Sequence, residues 1–152
     1  TQAIAWRQAQ AGRTIVSGGA RGVDVCAHLV ALNSGLPTVA VLAQSPDRAY
    51  PPEHRGVFDD ISRVGLVVSE TIPGVPHGPS GFLARNRLIA ALGDATIVVE
   101  APWRSGSVNT ARLAAELGRE VLAVVYQTDT VTNAGGNRIV SQWAATAIDW
   151  PD

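Results

Sequence analysis

Short, almost wholly apolar runs alternate along this chain with longer segments of helical character, and no other feature restricts its fold so strongly. The runs are 14–17 (TIVS), 38–42 (TVAVL), 66–69 (LVVS), 96–99 (TIVV) and 121–125 (VLAVV). A strand with one wet face alternates apolar and polar residues, whereas a run that is apolar throughout is covered on both faces. Helical patterns occupy about 24–33, 52–61, 84–92 and 107–117, and the opening segment 1–11 also reads as helix, ended by Gly12. In the last of these Val108, Ala111, Ala115 and Leu117 mark the apolar face, Ser105 or Ser107 caps the start, and Gly118 stops it. Strand and helix in alternation predict an α/β fold: a doubly wound, mostly parallel sheet with helices on both faces.

With 152 residues, 46% of them apolar, the chain is expected to form a single domain over 1–152. It contains no methionine, so Thr1 is not expected to be a natural start. A helix feeding the first strand also leads us to expect that a strand preceding Thr1 is missing from this fragment. The net charge of −1 gives no broad positive field, so any anion site must be local. All twelve basic residues are arginine, which reflects either coding bias or selection for bidentate oxyanion contacts. The single cysteine, Cys26, reads as a small core residue rather than a reactive thiol and suits a reducing compartment. No stretch approaches the ~18 apolar residues of a membrane span, and the expectation is a cytoplasmic protein without membrane contact.

In a doubly wound sheet, ligands bind beyond the carboxyl ends of the strands. The stretches there are SGGARG, AQSPDRAYPPE, SETIPG, EAPWRSGS and VYQTD, rich in serine and arginine, while connections at the other end such as 33–37 (NSGLP) and 92–94 (LGD) carry no arginine. In the first, Gly18 and Gly19 either let a backbone approach a ligand or take positive φ, the amides favour an anion, and Arg21 offers a fork that matches phosphate. The alternative is a tight strand-to-helix turn with Arg21 paired to Asp24 or solvated. In RSGSVNTA, Ser105, Gly106, Ser107 and Thr110 place hydroxyls and amides at a helix start, as phosphate donors or simply as a good cap. Arg85 and Arg87 flank Asn86 at what reads as a third helix start, where positive charge opposes the macrodipole and suggests an external anion. Phe82, in a glycine-flanked loop, either stacks on a base or staples that loop to the core.

Catalytic readings are weaker. His28, His54 and His77 have no metal-ligand spacing, and His28 reads as structural; Glu70 and Glu100 end strands and serve either as bases or as partners for arginines and amides. Neither G-x-S-x-G, nor a P-loop, nor G-x-G-x-x-G is present. No cofactor, metal or enzymatic activity is expected.

Taken together, SGGARGVDVCAH (17–28), VAVL with YPPE (39–42, 50–53), SE (69–70), ARNRLIAAL (84–92), VVEAPWRSGSVNTARLA (98–114), GREVLAV (118–124) and GGNRIV (135–140) resemble the DNA-processing protein A family, DprA/Smf. The resemblance implies a Rossmann-like fold that binds single-stranded DNA without cutting it, loads the RecA recombinase during natural transformation, and forms a homodimer. It further implies that Ser17, Gly18, Gly19 and Arg21 line a phosphate pocket, that Arg85 and Arg87, with Asn86 between them, hold the strand's backbone, that Phe82 stacks on a base, and that Ser105, Gly106 and Ser107 donate to a phosphate. The family's basic residues around the phenylalanine are here Gly78, Pro79, Ser80 and Gly81, and the chain is not expected to include the family's C-terminal winged-helix-like domain.

Two other classes compete. One is a related Rossmann-like group, the LOG lysine-decarboxylase-like phosphoribohydrolases, which cleave nucleoside monophosphates and carry P-G-G-x-G-T-x-x-E where this chain has RSGSVNTARLA. After Thr110 come Ala111, Arg112 and Leu113, so the glutamate that such an enzyme would use is absent. A nucleotide-sensing module that binds a small phosphorylated ligand without turnover is the third reading.

Overall fold

A computed structural model describes residues 1–75, 78, 80–143 and 145–148. The chain divides into two compact units, Thr1–Arg85 and Asn86 onward, each with its own parallel sheet. His77, Pro79 and residues 149–152 lie outside the described residues.

The first unit runs α1 (Gln2–Gln10), β1 (Ile15–Ser17), α2 (Val23–Asn33), β2 (Thr38–Leu42), two short 3-10 turns (Pro46–Arg48 and Pro52–His54), α3 (Arg55–Val64) and β3 (Leu66–Ser69). The strands pair in the order β1-β2-β3, all parallel, with Ile15 opposite Thr38 and Val39 opposite Leu66. Parallel neighbours need a crossover, and α2 and α3 supply it. Four of the five β2 residues are buried, and Ala40 and Leu42 form a core with Phe58 and Ile61 of α3. This is the doubly covered central strand that its unbroken apolar run predicts.

The second unit contains β4 (Ala95–Val98), α5 (Gly106–Glu116), β5 (Glu120–Val124), α6 (Ala134–Trp143) and β6 (Thr146–Ile148), with parallel order β4-β5-β6. Its core is built largely from small residues, Ala90, Ala101, Ala111, Ala114 and Ala123 among them, around Val98, Val108 and Ile139. Small side chains let α6 lie very close. The Gly135 amide donates to the Ala101 carbonyl at 2.8 Å, and a Cβ on Gly136 would stand 2.5 Å from the Val124 carbonyl oxygen. The helix α4 (Ser80–Leu92) carries the unit boundary, between Arg85 and Asn86.

The parallel α/β class is as expected, and all five expected strands are present to within a residue or so. Hydrogen bonding resolves them, with a sixth, into two three-stranded sheets. The sequence gives little sign of helix α6 and strand β6, because α6 opens on Ala134-Gly135-Gly136, which has the composition of a turn; close packing, not chain reversal, is what requires those glycines. The helix α4 begins at Ser80, four residues earlier than the sequence suggests. Gly81 masks that first turn.

His28 of α2 is fully buried, with Nδ1 2.8 Å from the Thr38 hydroxyl, which itself donates to the Ile15 carbonyl at 2.7 Å. That donation uses the hydroxyl's only proton, so His28 is the donor at Nδ1 and is held neutral, which makes it the structural histidine expected. Burial pushes its pKa from 6.5 down to about 4, against a smaller opposing pull from Asp24. The unfolded chain takes up this proton near 6.5 and the native chain resists until about 4, so His28 favours the fold above 6.5 and costs it stability as pH falls. Between pH 7.5 and 5.5 the stability measured by urea unfolding should drop by about 1 kcal/mol from this group, and His28→Leu should abolish that part of the drop while lowering stability at both pH values. An identical pH dependence in the variant would assign the drop to other groups.

Candidate functional site

After β1 the chain passes through Gly18 to Gly22 into α2, and each unusual residue in this turn answers to a neighbour. A Cβ on Gly18 would lie 2.5 Å from a guanidinium nitrogen of Arg85. Gly19 has φ +70° and its missing Cβ is occupied by the ring of Phe58. The amides of Gly18 and Ala20 donate to one carboxylate oxygen of Asp24, at 3.1 and 3.2 Å. The turn is thus an anion cradle whose anion is the chain's own Asp24 at the first turn of α2, where a negative charge also suits the helix dipole. Ser17 is half-buried at the end of β1.

Arg85 stands differently from its sequence expectation. It lies in the second turn of α4, beyond the reach of the terminal dipole, and is only 9% exposed. Its Nη1 donates to the Gly18 carbonyl at 3.0 Å and also to the Val41 carbonyl. Burial pushes its pKa down, and Asp24 pulls it back up. A buried guanidinium that satisfies two carbonyls braces the glycine turn from beneath. Phe82 likewise sits in the first turn of α4 and not in a loop.

Over this brace opens a pocket of about 450 Å³. Gly18, Ala20 and Arg21 contribute from the turn after β1, Tyr50 and Pro51 from the connection after β2, and Phe82 and Arg85 from α4. It therefore lies beyond the carboxyl ends of the first unit's strands, where a parallel sheet places its ligands. Tyr50 and Phe82 meet edge to face, with ring centres 5.7 Å apart, and the Arg21 guanidinium lies 5.7 Å from the centre of the Tyr50 ring. Arg21 does not pair with Asp24; its Nε and Nη2 both reach one oxygen of Glu53 at 2.6 Å. Hydrogen bonding to Tyr50 and then to Glu53 raises the Arg21 pKa, while the Glu53 carboxyl is lowered first by its own backbone amide and then by Arg21. His54 accompanies them, with Nδ1 2.9 Å from the Gly19 carbonyl.

Sequence reasoning did not single out Tyr50, Pro51, Glu53 or His54 as site residues. Tyr50, Pro51 and Glu53 are signalled only by the stretch AQSPDRAYPPE after the second strand and by YPPE within the family resemblance, because Glu53 stands 32 residues from Arg21 in the chain. The pocket brings together four of the expected residues, Gly18, Arg21, Phe82 and Arg85.

The others belong to the second unit or flank the turn. Ser105 is the N-cap of α5, its hydroxyl accepting from the Val108 amide at 3.2 Å. Asn86 is buried and donates from Nδ2 to the Gly106 carbonyl at 3.1 Å, and Thr110 donates to the same oxygen at 3.0 Å. Gly106 and Ser107 are exposed at the start of α5, and Arg87 is exposed on α4. Asn86 thus orders the α5 entry. Among the described residues, no three His, Cys, Asp or Glu side chains gather as a metal site, and no helix is long and apolar enough to cross a membrane.

Replacing Arg85 with alanine should lower stability by about 2–4 kcal/mol, because the Gly18 and Val41 carbonyls lose a buried donor. Arg87→Ala should change stability by less than about 1 kcal/mol, the ceiling for an exposed charged side chain even where it is paired. Chemical denaturation of the two variants separates these roles, and equal effects would contradict the buried brace.

The family model described as DNA recombination-mediator protein A matches residues 1–152. The chain is 44% identical over 130 residues to a putative DNA processing protein DprA of Mycobacterium tuberculosis, covering 86% of this chain and 33% of that protein. It is 44% identical over 110 residues to the DNA processing protein DprA of Streptococcus pneumoniae, covering 72% and 39%. The chain thus spans about a third of the length of these curated relatives. The crystal structure of the Streptococcus pneumoniae DprA superposes with a TM-score of 0.85 at 34% identity, over 95% of this chain and 50% of that one. DNA processing protein A of Helicobacter pylori, whose structure is described for its single-stranded DNA binding mode, gives 0.86 at 34% identity, over 97% and 66%. The likeness extends to the Rossmann-like fold.

Proposed function

Because the chain belongs to the DNA recombination-mediator protein A family, we propose that it binds single-stranded DNA, with the pocket of its first unit as a principal contact. The observation that carries this reading is the union of an exposed arginine fork and two aromatic rings in one pocket. A strand offers both kinds of group such a pocket engages: a phosphodiester for Arg21 and a base face for Phe82 and Tyr50. Single-stranded DNA binding by the Helicobacter pylori relative supports it.

In this reading Arg21 and Arg87 meet phosphates, Phe82 stacks on a base, and the exposed start of α5 at Gly106 and Ser107 donates amides and a hydroxyl to a phosphate. Ser17, Gly18, Gly19 and Arg85 shape the pocket floor and its support, while Ser105 and Asn86 hold the α5 entry in place. Residues 1–152 serve as one Rossmann-like DNA-binding domain. The protein acts in the cytoplasm as a homodimer, loads RecA onto incoming single strands during natural transformation and recombination, and performs no hydrolysis. Against a phosphoribohydrolase stands Leu113, half-buried against the core of the second unit where that reaction would need a glutamate.

Fluorescence anisotropy with a labelled oligonucleotide of about 20 nucleotides tests the reading. Binding should weaken as salt rises, and Arg21→Ala should reduce the slope of log affinity against log salt by about 1. Phe82→Ala should weaken binding by about 5- to 100-fold, the range for loss of one stacked base. A duplex should compete poorly. Full competition by a mononucleotide would favour a nucleotide sensor, release of free base from that mononucleotide would favour the hydrolase, and unchanged affinity in both variants would remove the pocket from the interface.

A further inference from the structure

An empty anion site seldom stays empty, and the one that Arg21 presents is filled from within. Both side-on donors of its fork, Nε and Nη2, are taken by one oxygen of Glu53 at 2.6 Å. This leaves the guanidinium lying against Tyr50 at the pocket wall. Glu53 is also held at this spot by its neighbours. Pro51 before it is fully buried, and His54 after it is 2.9 Å from the Gly19 carbonyl, so the carboxylate and the glycine turn are parts of one braced assembly. The pair itself remains in water, with the side chains of Arg21 and Glu53 62% and 49% exposed. Such a contact is exchangeable.

Resting on the strand-binding reading above, we propose that Glu53 is a built-in competitor at the pocket: its carboxylate occupies Arg21 in the absence of a strand and must be exchanged for a phosphodiester when one binds. The exchange sets one anion against another. A ligand that brings only a phosphate gains little by displacing Glu53, since the fork is as well satisfied before as after. A strand that also places a base against Tyr50 and Phe82 adds a contact that the closed state lacks, and this surplus drives the exchange. Glu53 therefore lowers affinity for every anion by a similar factor, and at a given concentration only a ligand with the added base contact still occupies the fork. Its negative charge beside the incoming phosphodiester acts in the same direction.

The test compares the wild-type chain, Glu53→Gln, Arg21→Ala and the double variant, using a short oligothymidylate and inorganic phosphate as separate probes. Glu53→Gln should tighten oligothymidylate binding by about 5- to 20-fold, the scale of one pairwise coupling, and should tighten phosphate binding by a similar factor. In the Arg21→Ala background the same substitution should change affinity by less than about twofold, because there is no fork left to release. A gain that persists without Arg21 would be a general effect of removing negative charge and would overturn the proposal. So would Glu53→Gln binding equal to or weaker than wild type, which leaves strand binding intact and sinks only the exchange. If neither wild type nor Glu53→Gln binds the oligonucleotide, the strand-binding reading fails and this inference falls with it. Binding seen only after Glu53→Gln would support it in its strongest form.

Discussion

Beneath the glycine turn of the first unit lies the guanidinium of Arg85, and the candidate site depends on it. One nitrogen bonds the carbonyls of Gly18 and Val41, tying the end of β1 to β2 through a side chain that comes from α4. Gly18 must lack a Cβ because that group occupies its space. A charge so deeply placed needs compensation, and Asp24 supplies a share of it while accepting from the amides of Gly18 and Ala20. The same carboxylate opposes the depression of the His28 pKa. One acid thus connects the loop's amides, the buried arginine and the neutral histidine that bridges α2 to Thr38.

This arrangement divides the arginines by burial. Arg85 spends its Nη1 on the fold, where it serves the carbonyls of Gly18 and Val41. Arg21, in solvent and held by Glu53 and Tyr50, keeps donors that can be reassigned. Residues of the same type on the same pocket wall therefore have opposite roles, one fixing the geometry and the other available to a ligand. The second unit repeats the division on a smaller scale: buried Asn86 and Thr110 converge on the Gly106 carbonyl, while Ser107 next to it remains exposed.

The segment from Tyr50 to Phe58 shows how a site can be assembled from parts that have no signal of their own. Tyr50 supplies an aromatic face, Pro51 a wall, Glu53 a counter-charge, His54 a bond to Gly19 and Phe58 the ring that requires Gly19 to be a glycine. In the sequence they are a proline-rich connection followed by a helix. Their common purpose, bracing and lining the turn after β1, exists only once β1 and β2 lie side by side.

From the sequence alone, the parallel α/β class, five of the six strands and the strand ends beside which the pocket lies could be read, because unbroken apolar runs and their polar ends are local properties of the chain. Gly18, Arg21, Phe82 and Arg85 could be named as a group for the same reason: each stands directly after a strand or near a helix start. Only the tertiary structure decided which arginine is buried, that Asp24 takes the anion's place in the glycine turn, that Glu53 takes it at Arg21, and that Gly135 and Gly136 belong inside a helix. Each of these depends on which atoms meet across the fold. Burial and pairing are properties of residues distant in sequence, so no spacing of residue types along the chain encodes them.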